Sequence, residues 1–107
     1  MIYSQEEDYK VYQIQKKDIK NLSVFKPSFE TDKYHLIFDL SLLRKIPEEL
    51  LSFFQTLSET VRPERSLVVV IPDSDADDYE ETLVVVPTFE EALDVLELEA
   101  IERELGF

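Results

Sequence analysis

The sequence predicts an α/β domain: a mixed or largely parallel sheet of four to five strands with helices packed on it. Two short runs of β-branched residues, SLVVVIP (66–72) and TLVVVP (82–87), are typical of strands that are covered on both faces. Amphipathic helical patterns alternate with the predicted strands, as expected for an α/β sandwich. The 107 residues have the size of one domain, so we expect residues 1–107 to form a single folding unit.

The predicted elements follow one another as strand, uncertain segment, strand, helix, strand, acidic loop, strand and helix. Residues 9–15 (YKVYQIQ) and 34–41 (YHLIFDLS) are rich in β-forming residues and too short for buried helices. Residues 16–33 between them are predicted to be a short helix or a loop, because Pro27 interrupts any longer helix.

Two segments have the apolar spacing of an amphipathic helix. The first begins at Pro47, and Pro63 marks its predicted end. Its apolar face consists of Leu50, Phe53, Phe54, Leu57 and Val61. The second begins with a capping box, Thr88 to Glu91, and ends near Gly106. Its predicted apolar stripe consists of Phe89, Ala92, Leu93, Leu96, Ile101 and Leu105.

The connection between the runs 66–72 and 82–87 is short and favours turns. Only about nine or ten residues are available, whereas two parallel strands usually need a crossover of about a dozen residues. The two strands are therefore either joined by an irregular crossover or antiparallel.

The negative charge is concentrated in the last third of the chain. The net charge is −13, and residues 73–107 hold 13 acidic residues against one basic residue, Arg103. Such a region repels phosphate backbones, so we expect no direct nucleic-acid binding. A basic protein partner, a cation and solubility are the remaining explanations for the charge.

The acidic loop, PDSDADDYEET, begins like a calcium-binding loop, with Asp73, Asp75 and Asp77 at alternate positions. An EF-hand loop needs glycine at its sixth position and glutamate at its twelfth, where this chain has Asp78 and Val84. We therefore predict a solvated connection, with a weak cation site at the three aspartates as the alternative. The partner-binding candidates in this loop are Asp77, Asp78, Glu80 and Glu81.

Several kinds of enzyme site are excluded by residue counts. The chain has no cysteine and a single histidine, His35, so it cannot supply the ligands of a zinc-hydrolase site. Its single glycine excludes P-loops and dinucleotide-binding loops, and there is no GxSxG nucleophile motif. We predict a non-enzymatic protein without a cofactor, in which His35 is structural. No segment has the ~20 apolar residues that span a bilayer and no secretory signal is visible, so we expect a cytoplasmic protein.

Ser41, Glu48 and Glu49 are further partner-binding candidates. The two glutamates open a predicted helix, where acidic side chains complement the helix dipole. Ser41 follows a predicted strand, where a helix cap and a phosphorylation site are the two interpretations.

The segments LIFDLSLLRKIPEELLSFFQTL, RSLVVVIP and LVVVPTFEEALDVL together resemble a STAS domain, the fold of bacterial anti-anti-sigma factors. The resemblance covers residues 34–107 and implies a regulatory domain that acts through protein contacts. Where the family has its phosphorylatable serine, this chain has Glu48 and Glu49, and one hypothesis is that they mimic the phosphorylated state. The acidic loop stands where the family has a helical crossover.

The ending VVPTFEEALDVLELEAIERELGF is similar to that of a group of short Bacteroidetes proteins of STAS-like character, some of which carry the name ribonuclease Z. This similarity implies an alternative function, that of an accessory factor or small enzyme in RNA processing. Ribonuclease Z itself is a metallo-β-lactamase-fold enzyme with a histidine-rich zinc motif, which a chain with one histidine cannot form.

Overall fold

A computed structural model describes residues 1–62, 64–74 and 83–106. Within these ranges five strands and three α-helices form, and a 3-10 helix (Lys16–Asn21) precedes the first α-helix. The elements in chain order are β1 (Ile2–Gln5), β2 (Tyr9–Gln13), α1 (Leu22–Thr31), β3 (His35–Asp39), α2 (Glu48–Val61), β4 (Leu67–Val70), β5 (Val84–Val86) and α3 (Phe89–Glu104). None of the described helices has both the length and the apolarity needed to cross a bilayer.

The five strands form one sheet in which their spatial order is the same as their order in the chain. β1 is antiparallel to β2, whereas β2, β3, β4 and β5 are parallel to one another. The predicted α/β class with a mixed sheet and packed helices is therefore confirmed. The parallel pairing of β4 with β5 also decides between the two alternatives left open by the sequence, because it makes their connection a crossover. Residues 75–82 of that crossover lie outside the described residues.

Side chains of the central strands alternate between two apolar cores, one on each face of the sheet. On one face, Leu36 and Phe38 of β3 pack with α1 and α2. On the other face, Ile37 of β3 and Val68 of β4 pack against α3. All four of these strand residues are 0% exposed, as the continuous apolar runs predict for strands covered on both faces. The molecule is therefore a three-layer arrangement of helices, sheet and a single helix.

Of the two alternatives for residues 16–33, a short helix or a loop, the structure has a short helix, but Pro27 lies within it and does not interrupt it. After the 3-10 helix, α1 runs for ten residues with Pro27 inside it, although proline cannot donate a helical hydrogen bond. Packing offsets that loss: Leu22 and Phe29 of α1 are each 2% exposed, and the Phe29 ring lies 5.2 Å from the Phe38 ring. The Arg65 guanidinium, which donates to the backbone oxygen of Phe29 at 3.0 Å, also fixes the end of α1 against the start of β4.

The edge strand β1 was not predicted from the sequence. It pairs with β2 through a tight turn in which the Glu6 backbone N–H donates to the Tyr9 oxygen at 2.9 Å. All four residues of β1 are exposed. The strand therefore lacks the buried apolar run by which the central strands are recognised.

One buried hydroxyl of α2 opposes stability, which leads to a testable prediction. Ser58 is 0% exposed, and its Oγ atom has no hydrogen-bond partner among the described residues. We expect Ser58→Ala to raise the free energy of unfolding in urea by about 1 kcal/mol more than Ser52→Ala, because it removes an unsatisfied buried polar group. Ser52 is exposed on the same helix, so the control corrects for the difference in helix propensity between serine and alanine. Equal effects of the two substitutions would contradict the prediction.

Candidate interaction surface

The final helix, α3, contacts the sheet with two chemically different halves. In its first half, Ala92 and Leu96 are buried against β3 and β4, with 0% and 6% of their surface exposed. Glu99 and Arg103 follow at spacings of seven and eleven residues from Ala92, which keeps them on the same side of the helix. The inward face therefore changes from apolar to charged along its length.

The charged half of this face meets the start of β4 in a network of polar contacts. Ser66, which is 0% exposed, donates from its Oγ atom to Oε1 of Glu99 at 2.6 Å. The other carboxylate oxygen of Glu99 lies 2.8 Å from Nη1 of Arg62, and Nη2 of Arg103 donates to the Ser66 hydroxyl at 3.1 Å. A carboxylate that accepts from a hydroxyl and pairs with a guanidinium satisfies much of its hydrogen-bonding capacity away from water. The network thus replaces apolar packing in the last turns of α3.

His35 belongs to the same edge of the sheet. The Ser66 backbone N–H donates to Nδ1 of the imidazole at 2.9 Å, so this nitrogen carries no proton. Burial, and next the positive charge of Arg103, lower the pKa of His35 below its usual value of 6.5. The charge of Arg65 acts in the same direction, whereas Asp8 and Glu99 oppose it. The hydrogen bond gives the neutral imidazole a structural role at the start of β3.

The apolar stripe predicted for α3 is wrong at its first residue and in its second half. Phe89, Ile101 and Leu105 are 41%, 47% and 65% exposed, although all three were assigned to the buried stripe. The physical reason is that Glu99 and Arg103 occupy the inward positions, which turns Ile101 and Leu105 toward solvent. Leu98, at 57% exposure, lies on the same side.

We call Leu98, Ile101 and Leu105 the outer face of α3. Ile101 and Leu105 follow Leu98 by three and seven residues, so the three side chains form one apolar strip along the last two turns of the helix. Carboxylates lie at neighbouring helical positions on both sides of this strip, and all of them are exposed. On one side is Glu102, on the other are Glu97 and Glu104, and Asp94 lies one turn before Leu98. An amphipathic surface with an apolar centre and an anionic border results.

The partner-binding candidates outside the acidic loop lie at the opposite edge of the sheet. Ser41 follows β3, is exposed, and donates its backbone N–H to Oδ1 of Asp39 at 2.9 Å. Glu48 and Glu49 are exposed in the first turn of α2, where the helix dipole favours acidic side chains. The carboxyl ends of the parallel strands bring these three residues to one edge, but they do not include the outer face of α3.

Of the candidate metal ligands, the structure describes Asp73 alone. It is exposed, follows β4 and has a left-handed backbone with φ of 60°. Among the described residues, no three histidine or acidic side chains are grouped in a way that could hold a metal ion. The other candidates in the acidic loop lie outside the described residues; they are Asp75, Asp77, Asp78, Glu80 and Glu81.

Neither the polar network nor the outer face is predicted from the sequence. The signal for the network was the Glu99–Arg103 pair at i, i+4 spacing, which also resembles an ordinary exposed pair.

A scan against protein-family models and a search of curated proteins found no match to the chain.

Glu99 should contribute far more stability than a glutamate on the solvent side of the same helix. Glu99→Ala removes the carboxylate shared by Arg62, Ser66 and Arg103, and we expect a loss of about 2–3 kcal/mol in the free energy of unfolding. The matched control is Glu102→Ala, because Glu102 is exposed, and we expect a change within about 0.5 kcal/mol. Denaturation in urea measures both values, and equal losses would show that the network does not hold α3.

The lowered pKa of His35 predicts a specific dependence of stability on pH. As the pH falls through about 6.5, the unfolded chain binds a proton at His35 before the folded chain does, so the folded state loses stability. Protonation of Nδ1 would also abolish the hydrogen bond from Ser66. His35→Asn can keep an acceptor there but does not titrate.

We therefore expect the stability of the wild type relative to His35→Asn to decrease between about pH 7.5 and pH 5.5 and to stay constant above that range. The difference between the two free energies of unfolding removes the effect of all other titratable groups, because both proteins share them. Urea denaturation at several pH values makes the measurement. Parallel curves across the whole range would contradict the lowered pKa.

Proposed function

We propose that the protein is a non-enzymatic interaction domain whose outer face of α3 binds a basic amphipathic helix of a protein partner. The observation that carries this proposal is the apolar strip of Leu98, Ile101 and Leu105, which has exposed glutamates on both sides. The cytoplasmic location expected from the sequence is part of the same proposal.

The apolar strip provides the driving force for association. Each of its three side chains is about half exposed or more, whereas the apolar residues of β3 and β4 are all buried. Contiguous exposed apolar surface with a polar rim is characteristic of a protein-binding site. Covering an exposed leucine or isoleucine contributes roughly 1 kcal/mol at about 25 cal/mol per Å² of buried surface.

The border of the strip determines the kind of partner that fits. Glutamates on both sides favour lysine or arginine side chains that flank the apolar stripe of a partner helix. They disfavour a second copy of α3 on the same surface, because the carboxylates of the two copies would then face one another. Ion pairs between these glutamates and basic side chains of the partner lie at a solvated rim. They increase the association rate more than the affinity and weaken as salt is added.

The polar network supports the proposal by making the surface rigid. Glu99 and Arg103 hold the last turns of α3 on the sheet, so the outer face has its binding geometry before a partner arrives. A preorganised surface loses less conformational entropy on binding. Ser41, Glu48 and Glu49 would form a separate contact region, as the STAS resemblance implies for the loop after the central strand.

A synthetic helix tests the surface directly. The probe is a labelled peptide of roughly 18 residues, with leucines at i, i+3, i+4 and i+7 and lysines beside them. We expect it to bind the wild type in fluorescence anisotropy, and Leu98→Ser with Ile101→Ser to weaken binding about tenfold or more, because buried apolar contacts are lost. Raising salt from about 50 mM to about 500 mM should also weaken binding.

Two controls complete this test. Val24→Ser removes an apolar side chain that is 73% exposed on α1, and it should leave binding unchanged. A second peptide, with glutamates in place of the lysines, should not bind. Equal binding by the outer-face variant and the wild type, or by both peptides, would refute the proposal. In an extract of the native host, a protein retained by wild type and Val24→Ser but lost with the outer-face variant would be the partner to sequence.

A further inference from the structure

A second, oppositely charged site lies at the carboxyl ends of the parallel strands. A cavity of about 540 Å³ opens between the 3-10 helix that follows β2 and the loop that joins β3 to α2. The 3-10 helix contributes Lys16 and Ile19, and the loop contributes Leu42, Leu43, Arg44 and Lys45. Small-molecule sites are typically concave and have volumes of roughly 300–1,000 Å³.

The charge of this cavity is unusual for this chain. Of the described residues that line it, three are basic, Lys16, Arg44 and Lys45, and none is acidic, although the chain has 24 acidic and 11 basic residues. Two other cavities on the molecule include a carboxylate, Glu49 in one and Asp39 in the other. Among the described residues, no acidic side chain lies within salt-bridge distance of the three cations. Within the described ranges, the cavity therefore concentrates positive charge that has no salt-bridge partner, on an anionic protein.

Apolar side chains form the rest of the lining. Ile19 and Leu43 are partly buried and pack against the core between the sheet and the helices α1 and α2. Leu42, beside them in the loop, is 51% exposed. The cavity thus offers an apolar surface continuous with the core and a cationic rim. A ligand that fits both parts has an apolar body and an anionic head.

Hydrogen bonds hold both walls in place. In the loop, the Leu43 backbone N–H donates to the Leu40 oxygen at 3.0 Å, and the Ser41 backbone N–H donates to Asp39. In the other wall, the Gln15 backbone N–H donates to Oδ2 of Asp18 at 2.8 Å at the start of the 3-10 helix. The cations therefore extend from segments that are already ordered, as a preformed binding site requires.

We infer that this cavity binds a medium-chain aliphatic carboxylate, with the chain against Ile19, Leu42 and Leu43 and the carboxylate among Lys16, Arg44 and Lys45. The planar guanidinium of Arg44 can donate two hydrogen bonds to one carboxylate, and the lysines add positive charge. Long-range repulsion by the net charge of −13 opposes any anion, so binding depends on these local contacts.

Decanoate, kept below its aggregation concentration, is the probe. We expect it to bind wild type in isothermal titration calorimetry and to shift the amide NMR signals of Leu42, Leu43 and Lys45. Decanol keeps the chain without the charge, and acetate keeps the charge without the chain, so both should bind at least about tenfold more weakly. Arg44→Gln with Lys45→Gln should weaken decanoate binding by about tenfold or more, through loss of charge-assisted hydrogen bonds.

Lys26→Gln with Lys33→Gln is the matched control, because it changes the net charge equally without touching the cavity, and it should leave binding unchanged. Leu42→Ser should weaken decanoate but not acetate. Equal binding by wild type and the Arg44 and Lys45 variant would overturn the inference, as would equal binding of decanol. An acidic peptide that binds this cavity where decanoate does not would also overturn it, in favour of a protein ligand. The outer-face variant of α3 should bind decanoate normally, so the two proposals can fail independently.

Discussion

The contact on which the surface of this protein depends is the carboxylate of Glu99 at the start of β4. It accepts a hydrogen bond from the buried Ser66 hydroxyl at 2.6 Å and pairs with Arg62 at 2.8 Å. Both contacts, together with the buried Ala92 and Leu96, fix the rotation of α3 about its own axis, because they require one particular side of the helix to face the sheet. Once that side is fixed, Leu98, Ile101 and Leu105 must face solvent. In the last turns of α3, where Glu99 and Arg103 face the sheet, the exposed strip is therefore a consequence of polar contacts.

The sheet separates two regions of opposite character. α3 lies alone on one face and carries much of the negative charge, while α1 and α2 cover the other. At the carboxyl edge, the 3-10 helix and the loop after β3 present Lys16, Arg44 and Lys45 around an apolar cavity. The architecture is compatible with an α/β sandwich of the STAS kind. The chain thus has one surface suited to a basic partner and another suited to an anion.

Much of the fold could be predicted because buried segments have a recognisable pattern of apolar residues in the sequence. The strands β3 and β4 are covered on both faces, so their residues form the continuous apolar runs expected of them. The apolar spacing of α2 was equally clear, since Leu50, Phe54 and Leu57 are all buried. By contrast, β1 is exposed throughout and has no such apolar pattern. Pro27 does not interrupt α1, because the packing of Phe29 outweighs the helix-breaking propensity of proline.

The sequence by itself determined the α/β class, the central strands and the two amphipathic helices, because apolar periodicity is a local property that burial imposes on each segment. It also located the negative charge in the last third of the chain. Only the tertiary structure decided that β4 and β5 are parallel and that α1 continues through Pro27. It alone showed which apolar residues of α3 are buried. The reason is that Glu99 faces inward to contact Ser66 and Arg62, which are distant in the chain and lie beside it only in the folded protein.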